Sequence, residues 1–232
     1  MSICAIWGAP QSGKTTLAIN LAYAFSRRGK TVCVISPLEY SEFSVLLGVK
    51  IPKEQSLGAA LHGSENIRNT VFRVDDLLYV LATEANADAF DCSYTSERVK
   101  TLLDIAKVTF DLVIVDCPSE TNNIIAAWSL NRAEKILLCL GGHISCTQWQ
   151  SANKRALQTV QQKTIYIGNH TAADFDYGAL YSYLKCTPQL EAPYVSEATT
   201  LQNDCKPIYG GSGKNERAYS SAINKLVEVL KL

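Results

Sequence analysis

The chain carries no excess charge of either sign. Its 22 Lys and Arg residues balance 22 Asp and Glu residues across 232 positions, for a formal net charge of +0. Such a balance argues against a dominant electrostatic grip on nucleic acid but leaves room for a local patch, so DNA is a possible partner but not a favoured one. No apolar stretch approaches the roughly 18 residues of a membrane span. Met1 and Ser2 run straight into an apolar segment, without the pattern of a signal peptide. The eight cysteines, at 4, 33, 92, 117, 139, 146, 186 and 205, form no C-x-x-C pair, and the three histidines add no closely spaced ligands. That spacing argues against a zinc site and for reduced thiols in a cytoplasmic protein. Cys4, Cys33 and Cys139 sit inside apolar runs, where a thiol packs as a small hydrophobe. Internal repeats and low-complexity linkers are also missing.

Hydrophobic residues make up 47% of the chain, enough for a sizeable core. Strand-like runs occur at Ile3–Trp7, Thr31–Ile35, Leu77–Ala82, Leu112–Asp116, Lys135–Leu140 and Thr164–Gly168. Helical patterns lie between most of them, notably Thr15–Arg28, Ser96–Val108 and Ser145–Gln161, and Ala218–Leu232 closes the chain. A near-continuous apolar run such as Leu112-Val113-Ile114-Val115 suits a strand buried on both faces of a parallel sheet. The alternation predicts an α/β fold, with a doubly wound, mainly parallel sheet flanked by helices in a single domain of residues 1–232. Residues 49–76 are the least regular and read as an insertion or flexible loop.

Gly8-Ala9-Pro10-Gln11-Ser12-Gly13-Lys14-Thr15 fits G-x-x-x-x-G-K-T, the phosphate-binding P-loop. An apolar strand precedes it. A helix follows, with Leu17, Ala18, Leu21, Ala22 and Phe25 on one face. Free N–H groups and the helix dipole at such a junction favour an anion. Gly8 and Gly13 permit the turns and the close approach to phosphate. Gly8, Ala9, Gln11, Ser12, Gly13, Lys14, Thr15 and Thr16 form the candidate phosphate cradle. Lys14 reaches the terminal phosphates and the Thr15 hydroxyl ligates Mg²⁺. A second acid signal lies at Asp116, where an apolar strand delivers a carboxylate to the sheet edge that binds ligands in α/β folds. Asp116 is the second candidate metal ligand and, with Lys14, a candidate catalytic residue. The bland alternatives are a chance glycine turn and a strand-end turn former.

Several segments together resemble the ParA/MinD family of P-loop ATPases. They are GAPQSGKTTLAINLAYAFSRRGKTVCVI, FDLVIVDCP, YIGN at 166–169, AP at 192–193 and CKPI at 205–208, in the family's order. The resemblance implies binding of ATP or ADP with Mg²⁺, nucleotide-dependent homodimers and the positioning of other cellular cargo. It also implies that Asn169 contacts the adenine base, with Pro193, Tyr194 and Ser196 passing near the same ring. The chain departs from the family in two places. Ala9 stands where the family carries a lysine that reaches the partner's nucleotide. Ser36-Pro37-Leu38-Glu39-Tyr40 stands where the family carries an acidic switch. These losses imply retained binding with weak hydrolysis, unless Glu39 or Glu42 substitutes. They, and the segment at 77–88, resemble the divergent CpaE/TadZ branch, which localises pilus or secretion machinery. Two alternatives stand beside this reading. One is an active DNA-partition ATPase with its own protein partner. The other is a non-enzymatic interaction module holding nucleotide as a structural ligand.

Three weaker signals remain in the sequence. Tyr209-Gly210-Gly211-Ser212-Gly213-Lys214 looks like another phosphate loop, but Asn215 replaces Ser or Thr and no apolar strand precedes it, so a flexible loop is expected. The final helix has an apolar stripe that includes Ala222, Ile223, Leu226, Val227 and Leu230, better suited to a core than to a membrane. His143 follows Gly141-Gly142 and reads as a loop residue rather than a base.

Overall fold

The computed structural model describes residues 1–62, 67–85 and 94–231. Among the described residues eight strands form one sheet: β1 Ser2–Gly8, β2 Val32–Ile35, β3 Phe72–Arg73, β4 Leu78–Leu81, β5 Leu112–Asp116, β6 Lys135–Gly141, β7 Thr164–Asn169 and β8 Leu190–Ala192. Their order is β3-β4-β2-β5-β1-β6-β7-β8, and all neighbours are parallel except the β3–β4 pair. The longer helices are α1 Lys14–Ser26, α2 Ser96–Thr109, α3 Ile124–Arg132, α4 Ser145–Ala152, α5 Lys154–Val160, α6 Tyr177–Leu184 and α7 Lys214–Leu230.

The period of two along each strand sorts the core into two layers. Cys4, Ile6, Val34, Ile114 and Leu137 face α1 and α7, while Ile3, Ala5, Trp7, Val113 and Val115 face α2 and α3. Both faces are thus dry, which is why these strands are apolar throughout instead of alternating. Truncating one of the fully buried residues, such as Leu17, to alanine costs about 2–5 kcal/mol through lost transfer energy and the cavity left behind. The stripe of α7 turns inward: Tyr219, Ile223, Leu226 and Leu230 are buried in the α1 layer. No described helix is long and apolar enough to cross a membrane.

The expected strands match the central sheet, and three other expectations need correction. Residues 49–76 are not a loose insertion. They hold the short helices Leu57–His62 and Ile67–Thr70 and strand β3. Leu57, Leu61, Ile67 and Val71 are buried in the second core layer. These elements are too short to display a clear period. Ser145–Gln161 is not one helix, because the chain breaks at Asn153, whose backbone lies at φ −98°, ψ 12° and whose side chain bonds the Trp149 carbonyl. The last helix starts earlier than expected, at Lys214 directly after Gly213. Cys92, Leu232 and part of the 77–88 segment lie outside the described residues.

Candidate nucleotide site

Seven parallel strands end on one edge of the sheet, and the candidate residues gather there. β1 lies between β5 and β6 and runs directly into the glycine loop. Three residues bend the loop with positive φ, Gly8 at 154°, Gln11 at 58° and Gly13 at 76°. Holding a glutamine in that region costs on the order of 1 kcal/mol, a strain found mostly at binding loops. Ser12 closes the bend, its hydroxyl donating to the Ala9 carbonyl at 2.8 Å. α1 then starts at Lys14 with no side-chain cap and no acid in its first turn. Its leading N–H groups and positive dipole end are left to an external anion.

Lys14 Nζ donates to the Ala9 carbonyl at 2.8 Å and to Ser119 Oγ at 2.9 Å. An ammonium has three protons, so one remains. Burial lowers the Lys14 pKa, and the nearby Asp116 opposes that shift. Thr15 Oγ1 donates to Asp116 Oδ2 at 2.7 Å. The other carboxylate oxygen, Oδ1, is buried and has no partner among the described residues. Burial pushes the Asp116 carboxyl up from 3.8 to about 6, against the pull of the Thr15 bond and the Lys14 charge, and Glu42 pushes in the same direction as burial. A hydroxyl beside a carboxylate with a bare oxygen is a pair of hard donors, the kind Mg²⁺ takes alongside phosphate. The residues present therefore fit that ion.

Asn169 ends β7 with 4% exposure, and its Nδ2 donates to the Ser12 carbonyl at 2.8 Å. The structure thus joins Asn169 directly to the P-loop. The His170 N–H bonds the Ala192 carbonyl at 2.9 Å, bringing the loop of Pro193, Tyr194 and Ser196 alongside. Ser196 bonds Glu197 at 2.9 Å and accepts from Asn215 at 3.1 Å. The switch stretch offers no buried acid. Ser36 is 1% exposed, the Leu38 carbonyl accepts from Thr83, and Glu39 and Tyr40 face solvent. Glu42, although exposed, is close enough for its charge to act on Asp116. His143 bonds Ser145 in an exposed loop and takes no part.

Sequence reasoning missed Ser119, the partner of Lys14. The Ser119 carbonyl accepts from Trp149 Nε1 at 2.9 Å, and Trp149 stands edge-on to Trp7 with ring centroids 4.8 Å apart. Its position three residues past Asp116 in the same strand-end loop was the available signal.

A family model described as an AAA domain matches residues 8–165, which includes the P-loop, Asp116 and its strand β5. The chain belongs to this family. Within it, the sequence and fold are those of the ParA/MinD P-loop ATPases. An uncharacterized ATP-binding protein of Methanocaldococcus jannaschii is 30% identical over 117 residues, covering 49% of this chain and 44% of that protein. The septum site-determining protein MinD of Bacillus subtilis is 29% identical over 111 residues, covering 46% of this chain and 41% of MinD. The aligned stretch thus spans less than half the length of these curated relatives. The structure of MinD complexed with Mg-ADP from Pyrococcus horikoshii superposes with a TM-score of 0.77 at 19% identity, covering 99% of this chain and 95% of that one. At that identity the likeness speaks for the fold.

Proposed function

We propose that the protein binds ATP or ADP with Mg²⁺ at the P-loop and uses the bound state to position or assemble a protein partner, with slow hydrolysis. The observation that carries this reading is the bare, buried Asp116 Oδ1 beside the Thr15–Asp116 bond, at the foot of an uncapped helix N-terminus. Gly8, Ala9, Gln11, Ser12, Gly13 and Thr16 supply the cradle, Lys14 the charge on the terminal phosphates, and Thr15 and Asp116 the metal ligands. Bound Mg²⁺ would supply positive charge to the phosphate oxygens. Asn169 spends one amide proton on Ser12 and keeps its carbonyl oxygen and second proton for the adenine base, with Pro193, Tyr194 and Ser196 alongside. The Mg-ADP complex of the Pyrococcus horikoshii relative supports the choice of nucleotide.

Slow turnover follows from Ala9 in the loop and from Ser36 and Leu38 in the switch. A cation reaching the transferring phosphate from outside is worth about 10³–10⁵ in rate. Without one, turnover should fall well below about 1 s⁻¹, the low end of common enzyme rates. The same departures favour a partner in pilus or secretion machinery over an active partition ATPase. Hydrolysis assays and sizing with ATP, ADP and no nucleotide test this reading. The expected result is near-background turnover with a nucleotide-dependent change in assembly. Turnover near 1 s⁻¹, or ATP-dependent and salt-sensitive DNA binding, would replace it with the partition reading.

A further inference from the structure

Thr16 is gripped from outside the P-loop by the segment that follows β8. Its carbonyl accepts from Asn20 Nδ2 at 2.7 Å, and Asn20 Oδ1 accepts the Tyr209 N–H at 2.7 Å. Its hydroxyl accepts from Gln202 Nε2 at 3.1 Å, across 186 positions of sequence. Gln202 stands on the short helix Ala198–Asn203. That helix is anchored: Leu201 packs against the α1 core layer, its N–H bonds the Glu197 carbonyl, and its own carbonyl accepts from Lys206. Gln202 is therefore held over the first turn of α1 and does not sweep the surface.

The direction of this bond carries the argument. A hydroxyl has one proton and two acceptor lone pairs. Gln202 fills a lone pair, so the Thr16 proton is not spent on it, and no described residue accepts that proton. A hydroxyl that accepts one bond also donates a stronger one. We infer that Gln202 is a positioning residue for the nucleotide: it holds the Thr16 hydroxyl as a donor towards a phosphate oxygen at the α1 N-terminus. This rests on the nucleotide reading above. Gln202 itself touches no phosphate and acts only through Thr16.

Calorimetric titration of Mg-ADP into the whole chain tests the inference, using Gln202→Met, Thr16→Ala and the double variant, with thermal melts to confirm folding. Gln202→Met keeps the side chain's length and removes its donor; Gln202→Ala replaces it if it fails to fold. Loss of the bond should weaken ADP about threefold to tenfold. The same change in the Thr16→Ala background should do nothing further, because two residues acting as one unit are not additive. An unchanged ADP affinity in Gln202→Met, or an equal loss with and without the Thr16 hydroxyl, overturns the inference while leaving the nucleotide reading in place. An unmodified chain that binds no ADP overturns both.

Discussion

Gly8–Thr15 and Tyr209–Asn215 both pass through glycines into Gly-Lys at a helix start, Lys14 opening α1 and Lys214 opening α7. Neither helix has a side-chain cap, but their surroundings differ otherwise. The first loop continues a strand in the middle of the sheet, and its helix has no acid in the first turn. The second follows no strand, and Glu216 occupies the first turn of its helix. The Glu216 carboxylate lies against Gly211 and Gly213, where the chain's own anion takes the favourable end of the dipole. Lys14 is held between a carbonyl and Ser119, while Lys214 is exposed. The second loop is also tied down rather than free: the Gly210 N–H bonds Ser220 Oγ, and Arg27 lies over the Tyr209 ring. A glycine-rich spelling becomes a phosphate site only when the helix end beyond it is left without an internal anion.

The sharpest way to probe the first loop is through its buried acid. An acid whose folded pKa lies above its unfolded value holds its proton more tightly when folded. For Asp116, stability is therefore lost as pH rises from 3.8 through about 6, and the cost persists above that. Asp116→Asn should stabilise the nucleotide-free protein at pH 8 by on the order of 1–3 kcal/mol, with the gain vanishing towards pH 4. The same substitution should abolish any Mg²⁺ dependence of nucleotide binding. Urea unfolding at the two pH values checks the sign; a variant less stable at pH 8 would show that Asp116 is not strained by burial.

A second probe sits on the other side of the loop. Asn169→Ala removes both the bond to Ser12 and the proposed base contact, so the preference for ATP over GTP should shrink by about 1–3 kcal/mol. Competition binding measures it, and equal affinities of the unmodified chain for ATP and GTP would rule out the base contact. The smallest effect belongs to the second loop. Glu216→Ala should cost about 0.3–1 kcal/mol of stability by removing charge from the α7 dipole, and should leave nucleotide affinity unchanged. Weaker nucleotide binding in that variant would break the contrast between the loops.

Much of this arrangement is legible in the sequence because the central strands are buried on both faces. Leu112-Val113-Ile114-Val115 leaves no polar alternation to confuse the reading, and β5 occupies the expected residues. The edge strands β3 and β8, with two and three residues, are too short to announce themselves. The helices of 49–76 are visible only through what Leu57, Leu61, Ile67 and Val71 pack against. At the site, residues set by local motif were readable: Gly13, Lys14, Thr15 and Asp116. Asn169, which meets Ser12 by tertiary approach, was reached only through the family resemblance, and others set that way were missed. Ser119 reaches Lys14 from a loop, Trp149 on a separate helix holds the Ser119 carbonyl, and Gln202 reaches Thr16 from the far end of the chain.

Thermal melting with millimolar Mg-ATP, run side by side on the unmodified chain, Lys14→Ala and Lys214→Ala, decides which glycine loop holds the nucleotide. A ligand at about 100 times its dissociation constant adds about 2.7 kcal/mol to folding. Nucleotide should raise the Tm of the unmodified chain and of Lys214→Ala alike, and Lys14→Ala should lose most of the rise. No rise in the unmodified chain, or a rise that survives Lys14→Ala and disappears with Lys214→Ala, would contradict it.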